Sequence, residues 1–277
     1  VTLSVTLAVI AGVMALVWLL SLARRDASII DPCWGLGFVL VSLVAYLLNC
    51  PATLRTTLLV ALTSVWGARL SVYLLWRNSG HGEDRRYQAM RATHGSRFWW
   101  ISLFTVFLLQ ALILWFVSWP IQAACSAAKA SPLGWVDLLG VSVWLIGLLF
   151  EAIGDWQLAR FKAAPVNAGR VMDRGLWRFT RHPNYFGDCC VWWGLYLVAA
   201  AGGAWWTMLS PLVMTLLLLK VSGVSLLEKT IVDRRPDYAD YQARTNSFFP
   251  GPARKHVAVP MAGEVSPEPG HGTHATR

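Results

Sequence analysis

The chain has 277 residues, of which 56% are hydrophobic and only 14% charged, with 16 tryptophans and a formal net charge of +9. A soluble domain carries about a quarter of its residues as charged side chains, so this composition excludes an ordinary water-soluble fold and points to lipid. Cationic loops at a membrane surface account for the positive charge, which leaves nucleic acid without support as a partner.

A transmembrane helix needs roughly 20 mostly apolar residues, because about 1.5 Å of rise per residue must cross about 30 Å of hydrocarbon. That rule predicts an all-α integral membrane protein with about seven transmembrane helices, at approximately 2–23, 30–49, 54–76, 99–119, 133–153, 186–201 and 205–227. The first span lacks a positively charged n-region and a convincing small-residue cleavage site before Arg24-Arg25, so it reads as a retained signal anchor. With the N-terminus outside, 20 of the 24 Lys and Arg residues fall in loops 24–29, 77–98 and 154–185 and in the segment after residue 227. The positive-inside rule then places those segments, and the C-terminus, in the cytoplasm. Residues 1–250 form a single transmembrane domain, followed by a Pro- and Gly-rich tail, 251–277, without apolar periodicity and expected to be disordered.

Asp31-Pro32 opens the second span. Asp31 is either a helix N-cap or a carboxyl near an apolar pocket, where it would be protonated and able to donate to a substrate carbonyl. In the third span, Arg69 and Tyr73 are one turn apart on one face. An arginine that deep is expensive against lipid and should face the bundle interior. The charged loop 77–91, with Glu83, Asp84, Arg85 and Arg86, is either a lid over a site or a solvated turn.

The five cysteines, Cys33, Cys50, Cys125, Cys189 and Cys190, lie in or beside apolar segments without C-x-x-C spacing and read as small buried hydrophobes. His256, His271 and His274 in the tail match no common metal-site spacing.

The densest polar stretch runs from Gly175 to Asp188. Pro183 suits the first turn of a helix. Free N–H groups at such a helix start, with Arg174, Arg178 and Arg181, form a cradle for phosphate oxygens. Asp188 lies about one turn into the span, where a carboxylate needs a partner, and Gly187 permits close approach of a ligand or helix. The bland alternative is that Arg181 and His182 anchor a helix end at the headgroups and Asp188 forms a structural ion pair. After the seventh span come Glu228, Lys229, Asp233, Arg234, Arg235, Tyr238, Tyr241 and Arg244, then Phe248-Phe249-Pro250. Tyr238 and Tyr241 share a helical face and fit either a binding site or an interfacial aromatic belt.

Arg181-His-Pro-Asn-Tyr-Phe-Gly-Asp188 resembles the R-H-P-N-Y-x-G-D signature of sterol reductases, and the later Tyr-x-x-Tyr-x-x-Arg-Thr pattern is similar to theirs. On these motifs the chain resembles the steroid 5α-reductase and sterol reductase superfamily, in particular its bacterial steroid 5α-reductase-like membrane branch. The resemblance implies a multi-pass protein of the bacterial inner membrane, with NADPH bound by the C-terminal half, about 133–250. It implies cofactor contacts at Asn184 and Asp188, with His182, Tyr185 and Gly187 completing the signature and Arg174, Arg181, Glu228, Tyr241 and Arg244 around it. The steroid enzymes place a glutamate on the second helix and a tyrosine on the third around the substrate ketone. Asp31 falls near the former, the latter position is Trp66, and Tyr73 lies further along the third span. The expected activity is therefore an NADPH-dependent reduction of a lipid-soluble α,β-unsaturated carbonyl, steroid-like, isoprenoid or enoyl, with Asp31 or Tyr73 as acid. Isoprenylcysteine and phospholipid methyltransferases are also similar and imply S-adenosylmethionine instead. A non-enzymatic lipid-binding protein is the third reading.

Overall fold

The computed structural model describes residues 1–49, 52–127, 131–221 and 237–252. Every regular element among them is helical, so the protein is an all-α membrane protein. The tail from residue 253 and Glu228, Lys229, Asp233, Arg234 and Arg235 lie outside the described residues.

In chain order the helices are α1 (Thr2–Arg24), α2 (Ile30–Leu48), α3 (Leu54–Asn78), α4 (Arg85–His94), α5 (98–117), α6 (Trp119–Ser126), α7 (Trp135–Ala163), α8 (Pro183–Ala199), α9 (Leu209–Leu216) and α10 (Tyr238–Arg244). A π-helical turn, Leu103–Leu108, interrupts α5.

Among the described residues, six helical stretches are long and apolar enough to cross a membrane, where the sequence predicts about seven. The difference lies in the last, Pro183–Lys220, which is helical throughout except at Gly203, whose φ of 99° reverses the chain. Beyond the bend, Tyr196 Oη donates to the Trp205 carbonyl (3.0 Å) and Trp193 Nε1 to Thr215 Oγ1 (3.1 Å). Pairing 196 with 205 and 193 with 215 makes the two arms antiparallel, so the sixth and seventh expected spans are the arms of one helical hairpin.

The outer membrane-length helices bury one stripe and leave the rest to lipid, whereas α8 has no exposed residue. In α1 the buried residues are Thr6, Ile10, Met14 and Ser21, at helical spacing, whereas Leu16, Leu19 and Leu20 are exposed. Such exposure costs little in hydrocarbon and places the chain in a bilayer as a multi-pass protein. Polar contacts between helices are correspondingly specific. Thr6 Oγ1 donates to Gln122 Oε1 (2.6 Å) in the buried α1–α6 contact. The start of α3 carries a Thr53–Thr56 capping box, and Arg55 holds Asp137 in a buried ion pair (Nε–Oδ1 2.8 Å). Arg55 Nη2 also donates to the Pro132 carbonyl, and Asp137 Oδ2 accepts from Gly134 N–H, so this pair closes the start of α7.

Backbone proximity sets the helix pairing around the core. A Cβ on Gly147 would lie 2.5 Å from the Gly187 carbonyl oxygen, and one on Gly35 would lie 2.3 Å from that of Gly67. These contacts bring α7 against α8 and α2 against α3 at a separation that any larger residue would widen. Trp66, Phe38 and Trp192 fill the space between the two pairs, with Trp66–Trp192 ring centroids 5.4 Å apart and Phe38–Trp192 centroids 4.4 Å apart.

Candidate functional site

The antiparallel course of the helices gathers most polar side chains at one pole of the bundle. The starts of α2 and α8, the ends of α1, α3 and α7, helix α4 and residues 237–252 all meet there. Arg55 and Asp137 lie at the other pole. This segregation is the pattern that the distribution of Lys and Arg predicts.

The interior of the polar end is organised by Arg69. Its Nη1 lies 2.7 Å from Glu151 Oε1 and its Nη2 2.7 Å from Asp155 Oδ2. Trp66 Nε1 donates to the second oxygen of Glu151 (2.8 Å). Asn184 Nδ2 reaches Asp155 Oδ1 at 3.4 Å. One turn further along α8, Asp188 Oδ1 and, a turn beyond it, Trp192 Nε1 are both buried near each other, and neither makes a hydrogen bond of ordinary geometry among the described residues. The arrangement answers the sequence question about Arg69: it faces the interior, held by two carboxylates four residues apart on α7. With one guanidinium among Glu151, Asp155 and Asp188, the cluster requires protons or a ligand that donates hydrogen bonds. The three carboxylates are not arranged to hold a metal ion.

Asn184, Gly187 and Asp188 therefore adjoin this cluster, Gly187 as the point where α8 crosses α7. Pro183 is the first residue of α8, as its fixed φ favours. The buried His182 precedes it and stacks on Tyr185, with centroids 5.4 Å apart and planes 4° from parallel.

The signature stretch and the chain after the last span do meet. The Arg181 N–H donates to the Asn246 carbonyl (2.9 Å), Arg181 Nη1 to the carbonyls of Gln242 (2.9 Å) and Thr245 (2.6 Å), and Thr180 Oγ1 to that of Phe248 (2.8 Å). Tyr241 donates to the Trp177 carbonyl, and burial pushes its phenol above the ordinary range. Arg244 Nη2 pairs with Asp173 Oδ2 (2.7 Å). Arg181, Tyr241 and Arg244 thus join the two stretches to each other. Arg174 and Arg178 flank the same turn and are exposed.

Asp31 is not the N-cap: it lies inside the first turn of α2, and Asp26 caps the preceding 3-10 turn, Ala27–Ile29, its carboxylate accepting from Ser28 N–H (2.8 Å). Asp31 instead accepts from Arg86 Nη2 and from the Tyr87 hydroxyl, each at 2.9 Å. Loop 79–84 and α4 are docked on α2, because Glu83 also accepts from Ala27 N–H (2.8 Å) and from Arg91 (2.8 Å). Partial burial raises the Glu83 pKa, but the Arg91 guanidinium and the Ala27 N–H outweigh it and hold the carboxyl below the ordinary range. Tyr73 lies one turn from Arg69, with the guanidinium 5.4 Å from its ring centroid, and no hydrogen bond joins it to Asp31.

Sequence reasoning missed Glu151, Asp155 and the role of Trp66. The signal was there, since two acidic residues four apart, facing inward from an apolar helix, must be satisfied by something.

An uncharacterised protein of Schizosaccharomyces pombe, C594.04c, is 26% identical over 263 residues, which cover 84% of this chain and 75% of that protein. No solved structure gives a significant match. The family model described as "Protein of unknown function (DUF1295)" matches residues 17–245, which include α2 to α8, the carboxylate cluster and the Arg181 junction, and the chain belongs to that family.

Proposed function

We propose that this protein is an NADPH-dependent reductase of a lipid-soluble α,β-unsaturated carbonyl compound, in line with the resemblance of its Arg181–Asp188 motif to the sterol reductases. The observation that carries the reading is Asp188: a buried carboxylate whose Oδ1 makes no hydrogen bond of ordinary geometry among the described residues, one turn from Asn184 and near Glu151 and Asp155, with the equally unsatisfied Trp192 Nε1 close by. An unmatched acceptor of this kind fits a ligand that brings N–H or O–H donors, as a carboxamide or a ribose does. The exposed Arg174 and Arg178 at the same pole suit phosphate oxygens. Bound NADPH would supply the hydride equivalent.

The chain's own residues have separable parts in this scheme. Asn184 and Asp188 orient the cofactor's polar end, and the Trp66–Trp192–Phe38 cluster excludes water from the space beside it. Arg69 fixes Glu151 and Asp155 and so sets where negative charge stands. Tyr73 is the better placed of the two expected acids, because Asp31 is engaged by Arg86 and Tyr87.

One observation favours a second reading. The carboxylate surplus around Arg69 also suits a sulfonium cation, and with it an S-adenosylmethionine-dependent methyltransferase. Calorimetry on detergent-solubilised protein, with NADPH and S-adenosylmethionine titrated in parallel, separates the two. Saturable NADPH binding without S-adenosylmethionine binding is the expected result, the reverse selects the methyltransferase, and binding of neither leaves a lipid-binding bundle.

A further inference from the structure

A groove opens on the lipid-facing side of the bundle between α3 and α7. Arg69, Tyr73 and Trp76 line it from α3 and Ala152, Trp156 and Ala159 from α7, around a cavity of about 520 Å³. On each helix these residues recur every three or four positions, so the groove runs along the helix axes for about two turns. Its rims, Trp76 (62% exposed) and Trp156 (58% exposed), lie towards the polar-pole ends of two helices long and apolar enough to cross a membrane, so the groove sits where hydrocarbon gives way to the interface, a level that tryptophan favours. The alanines keep its wall low, and the lining is almost wholly apolar apart from two groups.

Those two groups are donors. Arg69 carries five N–H groups, and its hydrogen bonds to Glu151 and Asp155 engage one each on Nη1 and Nη2. Its side chain is 21% exposed and lies on the groove. The Tyr73 hydroxyl has no hydrogen-bond partner among the described residues, and its ring lies against the same guanidinium, 5.4 Å from centroid to the guanidinium carbon. Two donors in an otherwise apolar groove call for an acceptor that arrives from the membrane. Charge decides which kind. Glu151 and Asp155 already offset the single cation, so a second anion would meet net repulsion, whereas a neutral carbonyl oxygen would not.

The geometry points to a lateral docking site for an uncharged carbonyl-bearing membrane lipid, its oxygen held by Arg69 and Tyr73 and its hydrocarbon lying between Trp76 and Trp156. This takes the unsaturation of the lipid from the reductase reading and the carbonyl from the groove's own atoms. The same guanidinium is held by Glu151 and Asp155, so an oxygen bound here lies one side chain away from the residues proposed to hold the cofactor.

Photolabelling in lipid nanodiscs tests it. Three diazirine-tagged probes of equal chain length are compared: a long-chain enone, the matching alkane and the matching carboxylate, with adducts located by peptide mass spectrometry. The enone is expected to label the segments around Trp76 and Trp156 above both others. Tyr73→Phe should lower that labelling about three- to tenfold, one hydrogen bond's worth, and Ala152→Phe, which fills the groove, should abolish it. Equal labelling by enone and alkane, preferential labelling by the carboxylate, or indifference to Tyr73→Phe in a folded variant would each overturn the assignment. NADPH titration of the same samples distinguishes the failures: specific enone labelling without NADPH binding removes the reductase and leaves the groove, whereas NADPH binding without it removes the groove alone.

Discussion

Arg181 Nη1 donates to the Thr245 carbonyl across 2.6 Å and to the Gln242 carbonyl across 2.9 Å, at the C-terminal end of α10. A cation there satisfies carbonyls that the helix itself leaves free. Arg181→Ala should therefore loosen residues 237–252, at a cost of about 1.5–3 kcal/mol for charged hydrogen bonds, read as faster amide exchange in that segment. Arg174→Ala should leave exchange unchanged and weaken NADPH binding, because Arg174 is exposed. Identical behaviour of the two variants would contradict this division of labour.

Removing Arg69 should be far worse than removing one of its partners. Arg69→Met leaves Glu151 and Asp155 buried without their counter-ion, a loss of about 3–5 kcal/mol, whereas Glu151→Gln keeps an acceptor for Trp66 and should cost about 1–2 kcal/mol. Thermal unfolding in detergent ranks them, and an Arg69→Met protein as stable as Glu151→Gln would refute the central place given to the guanidinium.

Asn184→Ala and Asp188→Ala should each reduce NADPH affinity about tenfold, the equivalent of a net hydrogen bond or slightly more. Asp188→Ala has an added signature, since it removes a buried carboxylate whose Oδ1 makes no hydrogen bond of ordinary geometry among the described residues: without cofactor, its stability should be equal to or above that of the parent. Unchanged affinity in both variants would take α8 out of the site.

Acid should release the α4 clasp. Glu83 has a folded pKa below its ordinary 4.5, so its stabilising contribution is complete above the unfolded value and is lost as pH falls through the folded one. Amide exchange in residues 79–97 should accelerate below about pH 4.5, and Glu83→Gln should be fast at all pH values with a flatter acid response. A pH-independent parent would show that the Arg91 pairing contributes nothing to docking.

Helix contact between α7 and α8 should be intolerant of side chains. Gly147→Val places a branched group 2.5 Å from the Gly187 carbonyl, with an expected loss of about 1–3 kcal/mol or more. Differential scanning of the purified variant measures it, and a neutral result would mean the two helices are further apart than described.

The membrane class and the long helices were legible because length and hydropathy are local properties of the chain. Pro183 marked the start of α8 for the same reason: a fixed φ acts on its own residue. Gly203 falls between the expected spans 186–201 and 205–227, and nothing local marks it as a hairpin, because a reversal by one positive-φ glycine leaves the hydropathy pattern unchanged. At the site, sequence supplied the demand and withheld the partner. Arg69 had to face inward, but that Glu151 and Asp155 answer it depends on how α3 lies beside α7, a relation between segments some 80 residues apart. Asp31 shows the converse. Its position at a helix start suggested capping or acid chemistry, and the docking of α4, which no local pattern announces, gave it to Arg86 and Tyr87 instead.

Arg55 and Arg69 are fourteen residues apart on α3, and their partners Asp137 and Glu151 are fourteen apart on α7. Two matched ionic ties about 21 Å apart along parallel axes prevent either helix from sliding past the other, because any shift along the axes would break both. Any widening of the gap between them is confined to the ends beyond Tyr73 and Asp155, which makes the mouth of the groove the compliant part of an otherwise fixed frame.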